Sequence, residues 1–222
     1  MDYKKILLVA VTTLVTTSLQ SAVVLPGILP AQQVLAQTTE ARKAEADRLF
    51  NQGIQQIEAN QLESALQSFQ KALTIYRDVK NAKGEGWSLA SLGFIYFESQ
   101  DYPKAIDYYQ QSLAIAREIK NSELEAIVQP MLAKAQLRSN SKKAKADRLL
   151  NQGTKQAQTG QVTAALQSWE EALKIYREIK DLNSQGKVLG NLGIGYNVLG
   201  DYAKAIDYCQ QSLKIAREIE DQ

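Results

Sequence analysis

DYPKAIDYYQQSLAIAREIK, residues 101–120, returns almost unchanged as DYAKAIDYCQQSLKIAREIE, residues 201–220. Sixteen of the twenty positions are identical, and the ungapped match extends to 41 of the 78 pairs formed by residues 44–121 and 144–221. A repeat at fixed spacing indicates an architecture of stacked units. The duplicated stretch therefore preserves either a chemical site or a packing element, and its residue types decide between them.

A fainter repeat of 40 residues lies inside each half of the chain. The pattern Ala65-Leu66-x-x-Phe69-x-x-Ala72-Leu73 recurs with related side chains at residues 105–113, 165–173 and 205–213. Serine replaces the second alanine in the copies at 105–113 and 205–213. Each unit predicts two helices. Leu89, Leu92 and Tyr96 lie at helical spacing on one face of the first helix. The second helix begins near Asp101, whose side chain can cap it, and Pro103 is tolerated in its first turn.

Small residues recur where the two helices of a unit would meet. A glycine lets the paired helix approach closely, and an alanine faces it from the second helix, so a bulky side chain at either position should force the pair apart. The glycines are Gly53, Gly93, Gly153 and Gly193, and the alanines are Ala65, Ala105, Ala165 and Ala205. The duplicated stretch is thus predicted to be a packing element.

This pattern resembles the tetratricopeptide repeat, a helix–turn–helix unit that stacks into a right-handed superhelix. The residues that carry the resemblance are Leu89, Leu92, Gly93, Tyr96, Asp101, Tyr102, Ala105, Tyr109, Ser112 and Leu113, with counterparts 100 positions later, where Cys209 replaces Tyr109. The 40-residue period exceeds the usual 34 and is similar to the long repeats of kinesin light chains and many bacterial relatives. The resemblance implies an all-α solenoid of about nine helices in two tandem two-repeat halves, and a function in binding proteins or peptides.

The predicted modules cover residues 44–138 and 144–222. The first ends with residues 122–138, which resemble the opening helix of a third repeat; Pro130 should kink or shorten this helix, which we expect to pack on the first stack. Polar and basic residues at 139–143 predict a flexible linker.

A shorter linker is predicted at residues 37–43. No counterpart of residues 122–138 follows Glu220 in the second half. The last helix should therefore expose apolar surface, which either tolerates solvent or binds a partner, such as a second copy in a homodimer through the C-terminal helix.

The first 36 residues predict an export signal. Lys4 and Lys5 precede an apolar run at residues 6–19, and small residues precede a cleavage site after Ala36. The alternative is an uncleaved anchor, although the run is short for a membrane span of ~20 residues. We expect an exported protein in the periplasm, the cell envelope or the medium of a bacterium, with a resemblance to cyanobacterial sequences. Membrane contact is expected only if this segment is retained.

The candidate binding residues lie on the first helix of each unit. The position two residues before the glycine carries Asn51, Ser91, Asn151 and Asn191. It points away from the packing face, and an amide both donates and accepts hydrogen bonds, as recognition of a peptide main chain requires. In peptide-binding relatives of the resembled family, an asparagine ladder at this place holds an extended ligand. The alternative is a set of solvated polar residues copied by duplication.

Further lining is predicted from larger side chains of the same helices. These are Trp87, Phe94 and Phe97 in the first half and Lys187, Ile194 and Asn197 in the second. Aromatic side chains at such positions anchor many binding surfaces, and the alternative is that they pack against a neighbouring helix.

Composition and motifs predict no enzyme, cofactor or metal site. The chain of 222 residues has no histidine and one cysteine, which removes the commonest general base and every multi-cysteine metal site. Because Cys209 replaces Tyr109 at a core position, we expect a buried, inert thiol. A net charge of +2 argues against nucleic acid as a partner. The sequence predicts an interaction scaffold for a protein or peptide; the alternative is a structural or assembly factor of the envelope that self-associates or is tethered to a membrane.

Overall fold

The computed structural model describes residues 31–220, with side chains from residue 38 onward. Within this range the chain forms eight α-helices and no strand. They are α1 (Ala31–Glu58), α2 (Leu62–Asp78), α3 (Ala82–Glu98), α4 (Tyr102–Glu118), α5 (Ser122–Gln158), α6 (Val162–Glu178), α7 (Leu182–Val198) and α8 (Tyr202–Glu220). The all-α prediction is confirmed, and the described helices are close in number to the nine expected. None of those in the described range is long and apolar enough to cross a membrane.

Three-residue turns join the helices and set the period of the repeat. In each turn the middle residue has a positive φ, and these residues are Asn60, Lys80, Gln100, Lys120, Gly160, Lys180 and Gly200. The left-handed residue lets the following N–H reach back to the helix end, as when Asn81 N donates to Tyr76 O at 2.8 Å. Helices of 17 residues and turns of three make 20, so a helix pair accounts for the 40-residue repeat.

Short polar side chains start several of the helices. Asn81, Asn121, Asp181 and Asp201 each accept a hydrogen bond from the backbone N–H three residues later, at 3.0 to 3.2 Å. Such a bond satisfies one of the N–H groups that the first turn leaves without a partner. The capping role predicted for the aspartate of the duplicated stretch is therefore observed at Asp201.

Unit 1 of the structure comprises the described residues up to 100 together with residues 104–135. Its core includes fully buried Phe69 and Tyr109. A Cβ added to Gly53 would lie 2.7 Å from the ring of Phe69, and one added to Gly93 would lie 2.7 Å from Tyr109. The glycines therefore sit where the two helices of a pair approach closest. The facing Ala65 and Ala105 are both fully buried.

Unit 2 comprises residues 101–103 and the residues from 136 onward. It repeats the same contacts: a Cβ at Gly153 would lie 2.6 Å from Trp169, and one at Gly193 would lie 2.6 Å from Cys209 Sγ. Ala165 is fully buried and Ala205 is 7% exposed. The two units thus use the same small residues to bring their helices together.

The segments expected as linkers differ from the prediction. Residues 37–43 lie inside α1, and residues 139–143 lie inside α5, which continues through Pro130 without ending. Within the second of these segments, Lys142 Nζ forms an ion pair with Glu178 on α6 at 2.8 Å. That residues 44–138 and 144–222 fold as separate modules stays a prediction. The predicted signal segment, residues 1–36, lies almost entirely outside the described residues.

Candidate functional site: a groove on α7 and α8

In unit 1, helix α5 covers the pair formed by α3 and α4. Within unit 1, the buried side chains of α5 are Leu124, Val128, Met131 and Ala135, none more than 4% exposed. They follow one another at intervals of four, three and four residues, which places them on one face of a helix. A Cβ added to Gly86 of α3 would lie 2.7 Å from Leu124 Cδ2, so the helices are in close contact.

Only a small space is left at this interface of unit 1. A cavity of about 20 Å³ lies among Phe94, Phe97, Tyr109 and Met131, with Glu98 and Lys134 at its edge. A space of that size holds about one water molecule. The aromatic side chains of α3 and α4 therefore pack directly against Met131 of α5.

In unit 2, the equivalent surface of α7 and α8 is an open groove of about 490 Å³. We call it the α7–α8 groove; it is lined by Gly193, Ile194, Asn197, Ala205, Ile206, Cys209, Gln210 and Leu213. Ile194 is 63% exposed, Ile206 58% and Leu213 52%. Among the described residues no helix covers this surface, although its lining is mostly apolar.

The counterparts of Leu213 and Ile194 in unit 1 are buried, and Ile106, the counterpart of Ile206, is half-buried. Leu113 is 6% exposed where Leu213 is 52% exposed, and Phe94 is 2% exposed where Ile194 is 63% exposed. The side chains themselves do not explain the difference in exposure, because positions 113 and 213 are both leucine, and Phe94 and Ile194 are both large and apolar. The difference follows from the covering by α5 in unit 1. The groove is thus an uncovered version of a surface that is core in the other half.

The prediction of a buried thiol at Cys209 is wrong. Cys209 is exposed, although its sulfur packs against Gly193 on one side. Tyr109, at the same position of unit 1, is 1% exposed and lies beside Met131. The thiol is exposed because the described part of unit 2 has no counterpart of Met131 to cover it.

An unpaired cation lies on α8 within the described residues. In unit 1, Arg77 Nε binds Glu85 at 2.8 Å and Arg117 Nε binds Glu125 at 2.9 Å, so the end of each second helix is tied to the next helix. Arg217 is the counterpart of Arg117, and no carboxylate among residues 38–220 pairs with it. Its guanidinium is available to a carboxylate from outside this part of the chain.

Three of the predicted lining residues belong to the core of unit 1. Trp87 and Ser91 are fully buried, Phe94 is 2% exposed, and Ser91 Oγ donates to Trp87 O at 2.9 Å. Phe97 is half-buried, with Lys134 Nζ 5.0 Å from its ring centroid. Trp87, Phe94 and Phe97 pack against neighbouring helices, which was the alternative for these aromatic residues, and the burial of Ser91 differs from both interpretations of its position.

The remaining predicted residues are accessible to different degrees. Asn151, Lys187 and Asn197 are exposed, whereas Asn51 and Asn191 are half-buried. Of these, the α7–α8 groove includes only Asn197, beside Ile194. The binding role of the asparagines stays a prediction.

Ile206, Cys209 and Leu213 of α8 were not among the binding residues predicted from the sequence. The sequence contains a signal for them. In the first half, the helix that carries their counterparts is followed by residues 122–138, whose apolar face can cover those counterparts.

Stacked tyrosines flank the helix pairs in both units. Tyr196 and Tyr208 lie with ring centroids 5.5 Å apart, as Tyr96 and Tyr108 do at 5.3 Å. Tyr196 Oη donates to Glu170 Oε1 at 2.8 Å, and this hydrogen bond raises the pKa of Tyr196 to about 12. The Tyr196 hydroxyl therefore keeps its proton at physiological pH. No group of acidic, cysteine or histidine side chains within the described range could hold a metal ion.

Comparison with known proteins agrees with this architecture. A tetratricopeptide repeat profile matches residues 84–159 and 149–218, which together exceed half of the chain. No curated protein matches the sequence significantly.

Solved structures with a similar fold have low sequence identity to this chain. MamA is 15% identical (86% of this chain and 89% of that chain covered, TM-score 0.32), and the apo form of RapI is 17% identical (100% and 72%, TM-score 0.38). BtubC (BKLC) from P. vanneervenii is 18% identical (87% and 94%, TM-score 0.35). At such scores these structures carry no argument about function. On the profile match and the repeated helix pairs, the chain belongs to the tetratricopeptide repeat family.

Proposed function

We propose that this protein is an exported scaffold without catalytic activity, and that it binds a partner protein through the α7–α8 groove. The observation that carries the proposal is the exposure of Ile194, Ile206 and Leu213, which lie together around a groove of about 490 Å³. Contiguous exposed apolar surface of this kind marks interaction sites on proteins. The family supports the general role, since its repeats serve protein–protein interaction.

The asparagines define a second candidate surface for the same function. Asn51 in unit 1, and Asn151 and Asn191 in unit 2, would each hydrogen-bond to the main chain of an extended peptide bound to their own unit. The exposure of Asn151 supports this role, and the burial of Ser91 removes one member of the ladder. The groove is favoured because it offers apolar area, which contributes most of the free energy in ordinary interfaces.

The test compares variants of residues 37–222 as bait for proteins of the native envelope fraction. Ile194→Glu places a charge in the groove, and Leu137→Glu is the matched control because Leu137 is 69% exposed and lies outside the groove. We expect quantitative mass spectrometry to find a partner that Leu137→Glu retains and Ile194→Glu loses. A partner that is retained by Ile194→Glu but lost by Asn151→Ala combined with Asn191→Ala would place binding on the asparagines instead.

The same exposed side chains favour an alternative function, assembly through self-association of α8. Light scattering of residues 37–222 over a range of concentrations separates the two proposals. A monomer at every concentration supports a scaffold for another protein, whereas a dimer that Ile194→Glu dissociates supports self-assembly. The proposed export is tested by N-terminal sequencing, for which Gln37 is the expected first residue and Met1 would contradict cleavage.

A further inference from the structure

We propose that the partner segment of the α7–α8 groove is an amphipathic α-helix with the apolar spacing of Leu124, Val128, Met131 and Ala135. We further infer that it carries a carboxylate directly after its first apolar anchor, which pairs with Arg217. This inference rests on the proposed function, because it names the class of partner for the same groove.

The two helix pairs have the same internal geometry, so unit 1 is a valid template for unit 2. Ser112 Oγ donates to Gly86 O at 2.8 Å, and Ser212 Oγ donates to Gly186 O at 3.0 Å. Both bonds join the two helices of a pair, and they fix the same register in each unit. A helix that fits the outer surface of α3 and α4 therefore meets an equivalent backbone on α7 and α8.

The positions that the first and third apolar anchors, Leu124 and Met131, occupy in unit 1 are open in the described part of unit 2. Leu124 fills the space in front of Gly86, whereas the only atom within 4 Å of a Cβ at Gly186 is one of Ile215, at 3.6 Å. Met131 lies among Phe94, Phe97 and Tyr109, and the groove is lined by Ile194, Asn197 and Cys209 at those positions.

These replacements are smaller side chains, so the groove has more room than the template interface. The anchor at the third apolar position is therefore expected to be large, a methionine or an aromatic residue.

Positive charges on α7 and α8 indicate where the partner helix should carry acidic residues. Arg117 binds Glu125, the residue directly after the Leu124 anchor, and Arg217 has no such partner among the described residues. Lys187 of α7, which is exposed, replaces the buried Trp87 and adds a second positive charge to that of Arg217 on α8. A helix with acidic residues in its first turn is complementary to both cations.

A second copy of this chain does not supply such a helix from its described residues. The segment with the required spacing lies in α5, and its four apolar side chains are already buried in unit 1 of the same copy. The occupant is therefore a helix of a partner protein.

The first experiment uses the full mature chain, residues 37–222, and two synthetic peptides. One peptide has the sequence of residues 121–138, and the other carries Pro130→Ala, which removes a helix breaker at an exposed position. Cys209 is the only cysteine of the chain and lies in the groove, so its rate of reaction with a disulfide reagent reports occupancy of unit 2 alone. We expect saturating peptide to slow this reaction by about tenfold or more, because a bound helix excludes the reagent from the thiol.

Three controls separate a bound helix from other modes of binding. The Pro130→Ala peptide is expected to bind several-fold more tightly, because less helix has to form on binding. A peptide with Val128→Asp should give no protection. A peptide with Glu125→Arg should bind wild type several-fold more weakly and recover on the Arg217→Glu chain, since the pair of charges is then reversed.

The outcomes for the inference and for the proposed function are distinct. If neither peptide protects Cys209 while Ile194→Glu still abolishes capture of a partner, the groove is a binding site but the helix inference is overturned. Equal protection by the Val128→Asp peptide would overturn it as well. A dimer that Ile194→Glu dissociates would assign the groove to a second copy, which also contradicts the inference.

Discussion

Helices α3 and α4 of unit 1 and helices α7 and α8 of unit 2 share an interhelical hydrogen bond, a glycine in the close contact and a pair of stacked tyrosines. Among residues 31–220, only the first pair has a covering helix, which is formed by residues 122–135 of α5. Leu113 is consequently buried in the core, whereas its counterpart Leu213 lies on the surface. The comparison teaches that helix pairing is encoded within a repeat, whereas burial of its outer face depends on what lies next to it.

The largest expected difference between the two pairs is at this leucine. Leu113→Ala should lower the free energy of unfolding by ~2–4 kcal/mol, because it leaves a cavity in a packed core. Leu213→Ala should cost about 1 kcal/mol or less, because the side chain is already half exposed. Urea denaturation followed by circular dichroism measures both. Equal losses would show that α8 is covered in solution.

The glycines of the close contact provide the next test. In Gly93→Ala the new methyl group meets the buried ring of Tyr109, and we expect a loss of ~1–3 kcal/mol. In Gly193→Ala it meets the sulfur of Cys209, which can rotate into the open groove. The better helix propensity of alanine, worth ~0.5–1 kcal/mol, should then offset most of the strain. A larger loss for Gly193→Ala than for Gly93→Ala in thermal unfolding would contradict the difference in covering.

A buried tyrosine makes both units sensitive to alkali. Tyr76 Oη donates to Asp47 Oδ1 at 2.7 Å, and Tyr176 Oη donates to Asp147 Oδ1 at 2.6 Å. Burial and, next, the carboxylate raise the pKa of Tyr76 above its usual value near 10. The unfolded chain therefore loses this proton at a lower pH than the folded chain. The resulting stability is complete below about pH 10 and is lost as the pH rises further.

The variant Tyr76→Phe isolates this contribution. It should be less stable than wild type at pH 7 by ~1–2 kcal/mol, because Asp47 loses a hydrogen bond. Between pH 9 and pH 11 it should lose less stability than wild type, since one of the perturbed groups is gone. Identical slopes of stability against pH for the two proteins would mean that Tyr76 titrates normally.

The smallest effect is expected at Gly190, where unit 1 has Ala90. No atom lies within 4 Å of a Cβ at Gly190, and the residue is inside α7. Gly190→Ala should raise the free energy of unfolding by ~0.5–1 kcal/mol through helix propensity alone. A decrease in the melting temperature would show that something contacts this face of α7.

Much of the helix pairing could be predicted from the sequence because it is local. The 40-residue period, the caps and the small contact residues all lie within one pair, where spacing along the helix determines which side chains meet. The expectation of exposed apolar area on the last helix was also derived in this way. That expectation rested on one observation, that the segment at residues 122–138 has no copy in the second half of the sequence.

The burial of individual side chains was harder to predict, because it depends on neighbours from other repeats. Every residue from Gly86 to Ile95 of α3 is buried, so this helix has no open face for Trp87, Ser91 and Phe94 to line. The burial expected for Cys209 failed for the opposite reason, since its outer side has no neighbour in the described chain. The helix is continuous through residues 139–143, where Lys142 pairs with Glu178 of α6, a contact that composition does not reveal.

The most direct test of the account compares thiol reactivity at the two equivalent leucines. Leu113→Cys and Leu213→Cys are each made in a Cys209→Ser background, and the rate of reaction with a disulfide reagent is measured on the folded protein. The account predicts a rate for Leu213→Cys within about tenfold of the unfolded chain and a rate for Leu113→Cys slower by about a hundredfold or more, because the reagent reaches the second thiol only after local opening. Equal rates at the two positions would contradict the claim that one helix pair is covered and the other is open.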